Sequence, residues 1–477
     1  MNMIHAAGRL GLAAAILVVA AAAAEPQPGL DLTIDEAINR ALNHNRQLAL
    51  QAISTERAGL SKSRNEQAFA LSARPDVRVE RDEDGTREAY GMVLRKKFSP
   101  GTELILDSDA AHIPAFLDND WRATVRVEIR QPLFRSFGSL VQMEPVTAAA
   151  ERVLAQQRDW ELQKAHLVID VARTFESIVR LDRQIQADAG VRERAEKLSE
   201  LTKARQVQGR ASRVDSLRAA MQFEEARARM QSHIEERYSA QRGLAELLGA
   251  DPNATFNLAT PPMPEVEIPD VDAAIQVALS NRMDFAQAIQ NLDAAERGAR
   301  IGARKALPEI RLVGRHEQFG EGDRFGEASD LDESRWVVGL ESDYDLNRTS
   351  DRIEIRTTAL DAEAARQELE LRALSITREV QQALSEVRRR RSNLSIATRN
   401  FELASARAEL ARSLFEIGRG DSFAATDAEA ALSEAQLRLL QARADRSIAT
   451  YAMLRAMGTL IDHPEALKPS AAGGVAP

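Results

Sequence analysis

Side chains able to do chemistry are plentiful in this chain, but their spacing assembles no reaction centre. The seven histidines, at positions 5, 44, 112, 166, 233, 316 and 463, are scattered without helical pairing, so no metal-ligand set emerges. There is no cysteine, which removes thiolate nucleophiles, disulfides and a lipidated N-terminal cysteine together. No Gly-x-Ser-x-Gly, phosphate-binding loop or dinucleotide fingerprint falls in a strand–turn–helix context. The run from Arg388 to Arg391 sits inside a long helical pattern and reads as a solvated face paired with nearby acids. Two aspartates stand out by place alone. Asp215 follows Gly209 by six residues and Asp427 follows Gly418 by nine, each near the start of a helix, where the helix dipole favours an acid. The expectation is a protein that is not an enzyme and holds neither cofactor nor metal.

The elements around these residues repeat. "DEAINRALNHNRQLALQA" (35–52) and "DAAIQVALSNRMDFAQA" (272–288) share A-I-x-x-A-L, an Asn-Arg pair and a Gln-Ala pair, and each continues as helix to a proline, Pro75 or Pro308. Gly209 precedes Gly249 by 40 residues, and Gly418 precedes Gly458 by the same 40. The chain therefore reads as two structural repeats, 25–249 and 268–460, with a proline-rich linker at 250–267 and a disordered tail at 461–477. Between Met143 and Gln208, beyond Pro145 in the first turn, the only helix breaker is Gly190, and between Asp351 and Ile417 there is neither proline nor glycine. Such segments make rods of roughly 90–100 Å, which must pack against other rods. In the second repeat, Phe423, Thr426, Ala430, Ser433, Leu437, Leu440 and Ala444 follow a 3-4 spacing that predicts a close-packed helical seam. Composition agrees with long helices: charged residues are 28% and aromatics only 4%. A net charge of −9 argues against nucleic acid as a partner.

A minority of the chain alternates as strand. In "WRATVRVEIRQPLF", Trp121, Ala123, Val125, Val127 and Ile129 face one way, while Arg122, Thr124, Arg126, Glu128 and Arg130 face the other. Residues 75–80, 308–314 and 335–346 alternate too, the last with Trp336, Val338, Leu340 and Tyr344 on one face. Each repeat thus supplies an outgoing and a returning strand. Residues 90–106 form two further alternating runs around Ser99-Pro100-Gly101, which either lengthen the strands or make an extra hairpin. The acid-rich stretch 316–334 predicts a solvent loop. Trp121 and Trp336, near the starts of the two returning strands, fit either a membrane-interface belt or plain sheet anchors. A strand with one apolar and one charged face suits a barrel wall between lipid and water. Four strands cannot close such a barrel, so the chain must borrow strands from copies of itself, and three copies would give twelve.

Residues 1–24 carry an export signal: Arg9, an apolar run from Leu10 to Ala23, and Ala22-Ala23-Ala24 before Glu25. No other stretch is apolar enough for a transmembrane helix, so entry into a membrane has to be by strands.

Over roughly 31–460 the chain resembles the TolC-like outer membrane factors. The resemblance rests on the doubled opening, A-L-x-x-N in the first copy and A-L-x-N in the second, the proline before each first strand, "QPLFRSFG" after a returning strand, and the glycine turns 40 residues before "LLG" and "AMG". It implies a mainly α protein with membrane β: long α-helical hairpins forming a trimeric α-barrel, plus a trimeric 12-stranded outer-membrane β-barrel. It also implies a homotrimer in the cell outer membrane, extending into the periplasm. The implied function is a passive duct of a tripartite efflux or type I secretion system. Its partners are a periplasmic adaptor, an inner-membrane transporter and outer-membrane lipid. By position, the adaptor-contacting tip falls on Gly209, Arg210, Gly418 and Arg419, and the pore constriction on Asp215 and Asp427. Departures occur where the family often has Asn-Pro and this chain has Asn45-Arg46 and Asn281-Arg282, at Ala424 in place of an aspartate, and at Gly420 in place of a basic residue. The alternative is an exported periplasmic coiled-coil scaffold without a channel.

Overall fold

The computed structural model describes residues 32–82, 85–112, 121–209, 212–260, 266–343, 347–417, 419 and 422–469. The export signal, Tyr344, Arg210 and Gly418 lie outside them.

The first repeat opens with α1 (Ile34–His44) and α2 (Arg46–Gln67), runs through β1 (Ser72–Asp82), β2 (Gly85–Lys97), β3 (Glu103–His112) and β4 (Trp121–Pro132), passes a short α3 (Ser139–Gln142), and ends in the hairpin of α4 (Glu144–Val207) and α5 (Arg213–Leu247). The second repeat follows with α6 (Val271–Asn281), α7 (Met283–Ala303), β5 (Glu309–Gly322), short α8 (Phe325–Ala328), β6 (Glu333–Asp343), and the hairpin of α9 (Thr349–Glu416) and α10 (Ser422–Ala456). At 64 and 68 residues, α4 and α9 are rods of roughly 96 and 102 Å, as the absence of breakers predicts.

Local chemistry sets the joints. Thr33 and Glu36 close a reciprocal capping box at the start of α1. The Asn45 side chain then accepts from the Gln47 and Leu48 amides, which starts α2 in a new direction, and donates to the Leu247 carbonyl. The matching break in the second repeat is made by Arg282, which has no side-chain cap; it pairs with Asp284 at 2.6 Å and Glu379 at 2.7 Å. The structural counterpart of Asn45 is therefore Arg282, one residue away from the Asn281 that the Asn-Arg pair suggested.

Each repeat builds its own core. Phe175, Ile178, Leu244, Leu248 and Phe256 are buried with α1 in the first; Ile376, Val380, Leu384 and Met453 with α6 in the second. Burying one such side chain contributes on the order of 1.5–3 kcal/mol, and several per repeat hold each hairpin to its short helices. The halves are then joined by charge: Arg297 of α7 reaches Glu144 of α4 at 2.7 Å, and Arg158 donates to Gln287 at 3.1 Å. Two expectations are corrected. In α10 the buried residues include Ala428, Ser433, Leu439 and Ala444, while Phe423 is exposed and Leu440 only partly covered. The reason is that α10 packs against both α9 and α4, so two faces are covered and a single seam is not. The tail is also ordered further than expected: Leu467 is buried, its carbonyl accepts from Arg158 Nε at 3.0 Å, and His463 meets Glu161 at 3.1 Å.

The strands form one antiparallel sheet in the order β1-β2-β3-β4-β5-β6. The extra runs in the first repeat are thus a full hairpin inserted into the sheet, with the Phe98–Thr102 turn closed by Phe98 N to Thr102 O at 2.9 Å and Gly101 at φ +101. The expected four strands per chain are six. Nor is 316–334 a solvent loop throughout: β5 continues to Gly322, because its acids find arginines on β4 and β6.

Candidate functional site

Two regions could carry function: the walls of the sheet and the far end of the helical hairpins. The register assigns each strand residue to a face. One face gathers Leu94, Leu106, Val127 and Trp336 in successive pairings, with His316 between the last two. Val338 and Leu340 continue it, and Trp336 is 76% exposed. Most apolar residues of this face are exposed because, among the described residues, only the short α8 covers it, at the Trp121 end.

The opposite face is a network of cross-strand ion pairs. Arg126 lies 3.2 Å from Asp107 on β3 and 3.5 Å from Glu317 on β5; Arg335 of β6 reaches Glu317 at 3.5 Å. Glu128 accepts from Arg315 at 2.9 Å and also pairs with Arg130, and Arg122 stands 3.6 Å from Glu321. Glu128 and Glu317 are buried, each between two arginines, so their charge is neutralised locally and one arginine remains beside each acid if the other is removed. The sequence marks this face as charged, but the pairing is legible only once β4 and β5, one from each repeat, stand side by side.

Trp121 and Trp336 share the apolar face but not a level. Trp121 pairs with Gly322 and Trp336 with His316, six residues earlier in β5. Trp121 packs on His112 at 5.1 Å and on Phe325 of α8 at 5.5 Å.

At the other end, Gly209 takes φ +70, a left-handed turn that lets α4 reverse into α5. Arg419 is exposed, and its amide closes the α9 end on the Leu414 carbonyl at 2.9 Å. Asp215 is the reciprocal cap of α5: its amide donates to Ser212 Oγ at 3.1 Å, and its carboxylate accepts from the Ser212 amide at 3.3 Å. The Ser212 hydroxyl and amide hold this carboxyl below the usual carboxylate range. Asp427 forms an ion pair with Arg407 of α9. Although they come from different repeats, Asp215 and Asp427 line one cleft between α4, α5 and α10, together with Leu198, Thr202, Arg218 and Phe423. Sequence reasoning placed both acids near the tip and missed Arg407, twenty residues before Asp427 on the other arm of the hairpin. The run at Arg388–Arg391 behaves as expected: Arg389 and Arg390 pair with Glu386, and Arg390 also with Asp445. Among the described residues no group of histidine and acid side chains could hold a metal ion, and no helix is long and apolar enough to cross a membrane.

Comparison with known proteins agrees with this architecture. Residues 274–459 match the family model described as outer membrane efflux protein. A comparison with curated protein sequences finds no match. Among solved structures, the outer-membrane channel OprN is similar at 17% identity, covering 89% of this chain and 90% of that one, with a TM-score of 0.69. The Campylobacter jejuni CmeC outer membrane channel is similar at 12% identity over 91% of this chain and 87% of that one, TM-score 0.69. The open-state Neisseria gonorrhoeae MtrE outer membrane channel is similar at 15% identity over 90% and 89%, TM-score 0.68. Residues 274–459 thus resemble the outer membrane efflux protein family, and the chain as a whole shares the fold of these outer-membrane channels.

Proposed function

We propose that this chain is the outer-membrane duct of a tripartite efflux or type I secretion assembly, acting as a homotrimer and a passive conduit. The observation that carries the proposal is the sheet: an apolar face largely exposed beyond the short α8, an ion-paired face behind it, and two open edges, joined directly to helical rods of about 100 Å. An isolated sheet with open edges cannot persist in lipid, since every unpaired backbone group there costs several kcal/mol. Copies of the chain must complete it. The apolar face then meets lipid, the ion pairs line the lumen, and the rods extend into the periplasm as the α-barrel. The chain does no chemistry of its own in this reading; an inner-membrane transporter supplies the energy.

The tip follows the same logic. The turns at Gly209 and Arg419, with Arg210 and Gly418 beside them, meet a periplasmic adaptor. Asp215 and Asp427 become rings of three around a narrow mouth. Both carboxylates are already engaged, by Ser212 and Arg407, so the mouth is held by contacts that must loosen for the duct to widen. Trp121, at the start of β4, stands at a level of the outer face where lipid headgroups meet the wall, whereas Trp336, level with Val127 through His316, falls within the apolar band rather than at its second edge.

Three measurements on outer-membrane fractions test the duct. Amine cross-linking should stop at three copies, carbonate washing should leave the protein in the membrane, and purified protein should conduct ions in planar bilayers. A protein released by carbonate as a folded monomer would be a periplasmic scaffold instead.

A further inference from the structure

Resting on the trimeric reading above, we propose that the barrel closes by pairing β6 of one copy with β1 of the next in a single register, and that the closed wall has eighteen strands. The two strands are the open edges of one antiparallel sheet, they run in opposite directions, and each has eleven residues. Aligned over their full length, Ser72 meets Asp343 and Asp82 meets Glu333 of the neighbouring copy. This register puts like with like on both faces. On the charged face, Arg74 stands opposite Glu341 and Glu80 opposite Arg335. On the apolar face, Val77 stands opposite Val338 and Val79 opposite Trp336. Within their own chain, among the described residues, neither Arg74 nor Glu341 has an ion-pair partner.

The neighbouring registers are worse. A one-residue slip would turn the apolar set of one strand toward the charged set of the other. The proposed register sets Asp82 against Glu333 only at the strand end; a two-residue slip one way sets Asp76 against Glu341 in mid-strand, the other way sets Arg78 against Arg335 and Glu80 against Glu333, and either slip leaves two residues of each strand unpaired. Like charges directly opposite are destabilising.

Geometry supplies an independent check. Following paired residues across the sheet leads from Ser72 to Arg95, Ile105, Glu128, Arg315 and Val337. In the proposed register Val337 pairs with Arg78 of the next copy, so one circuit step advances β1 by six residues. Three steps give a stagger of about 18 residues over 18 strands, hence a tilt of about 35°, inside the range of roughly 35–45° that membrane barrels adopt. At that tilt the backbone diameter is about 34 Å, against about 23 Å for twelve strands. The inserted β2–β3 hairpin therefore sets the bore of the duct.

The chain has no cysteine, so engineered pairs report cleanly. Val77→Cys combined with Val338→Cys should, on oxidation in outer-membrane fractions, yield a covalent ring of three copies on a denaturing gel. Val77→Cys with Trp336→Cys, and Val77→Cys with Leu340→Cys, should stay largely unlinked. Amine cross-linking of the reduced variants shows separately whether trimers form. Trimers without the Val77–Val338 link, or linked through a slipped pair, would overturn the register and leave the duct reading standing. Absence of trimers in the unsubstituted protein would overturn both.

Discussion

Substituting arginine for Val127 probes the assignment of lipid to the apolar face. Val127 is the seventh of the twelve residues of β4, flanked across the sheet by Leu106 and His316. Twelve residues span about 40 Å, and at the tilt of a membrane barrel they rise about 30 Å, so Val127 sits near mid-depth of an apolar band about 25 Å tall. An arginine at that depth costs about 2–4 kcal/mol. A trimer carries three, so assembly loses about 6–12 kcal/mol, comparable with the whole stability of a typical folded domain. Arg126, the preceding residue, faces the other way, its side chain 33% exposed between Asp107 and Glu317. Arg126→Gln keeps a donor for both acids and should cost no more than about 1 kcal/mol. Unheated gels of outer-membrane fractions read folded trimer directly. Val127→Arg should abolish the trimer band and Arg126→Gln should retain it. Equal trimer yields for the two variants, or loss only in Arg126→Gln, would refute the assignment of faces.

The tip reading predicts opposite effects from the two sides of one ion pair: in planar bilayers Arg407→Gln should strengthen cation selectivity by freeing Asp427, and Asp427→Asn should weaken it, with Asp215→Asn acting in the same direction as Asp427→Asn. Gly249 and Gly458 both take left-handed φ, but a Cβ on Gly249 would lie 2.1 Å from the His44 carbonyl oxygen while one on Gly458 meets nothing closer than 3.1 Å. Gly249→Ala should therefore cost about 2–5 kcal/mol and Gly458→Ala only about 1–2 kcal/mol, read as denaturant midpoints. Burial pushes the Glu176 carboxyl above the usual carboxylate range. A raised value favours folding below the unfolded pKa and loses that advantage as pH rises through the folded one, so Glu176→Gln should raise the thermal midpoint at pH 7 and leave it unchanged near pH 4.

What the sequence revealed depended on whether the signal was local. The rods were legible because a run with almost no proline or glycine has few alternatives, and both ended within two residues of the expected positions. The faces of β4 and β6 were legible because alternation is a property of consecutive residues. The status of β2 and β3 was not, since an alternating run looks the same whether it lengthens a strand or starts another; only pairing across the sheet decides. The acids of β5 misled for a related reason. Glu317 and Glu321 read as solvent-loving until Arg122, Arg126 and Arg335, brought by other strands, stand beside them. At the tip, glycine spacing located the turns, but Arg407 contacts Asp427 through the return of a hairpin whose phase a single strand of sequence does not give.

Every strand contact in the sheet joins strands separated by at most ten residues in sequence, except one: β4 ends at Pro132 and β5 begins at Glu309. The first four strands form a local meander that can assemble as soon as it is made. Its last edge must then wait for the chain to synthesise the entire first helical hairpin and the start of the second repeat. During that interval β4 is an open template, and the β5 of any nearby copy matches it as well as its own does. Exchange of halves between copies, giving a trimer whose repeats are traded around the ring, is thus a built-in hazard of this topology. The ties between repeats on the helical side, Arg297 to Glu144 and Arg135 to Asp351, gain a second meaning: they keep each β5 tethered to the β4 of its own chain while the wall is being closed.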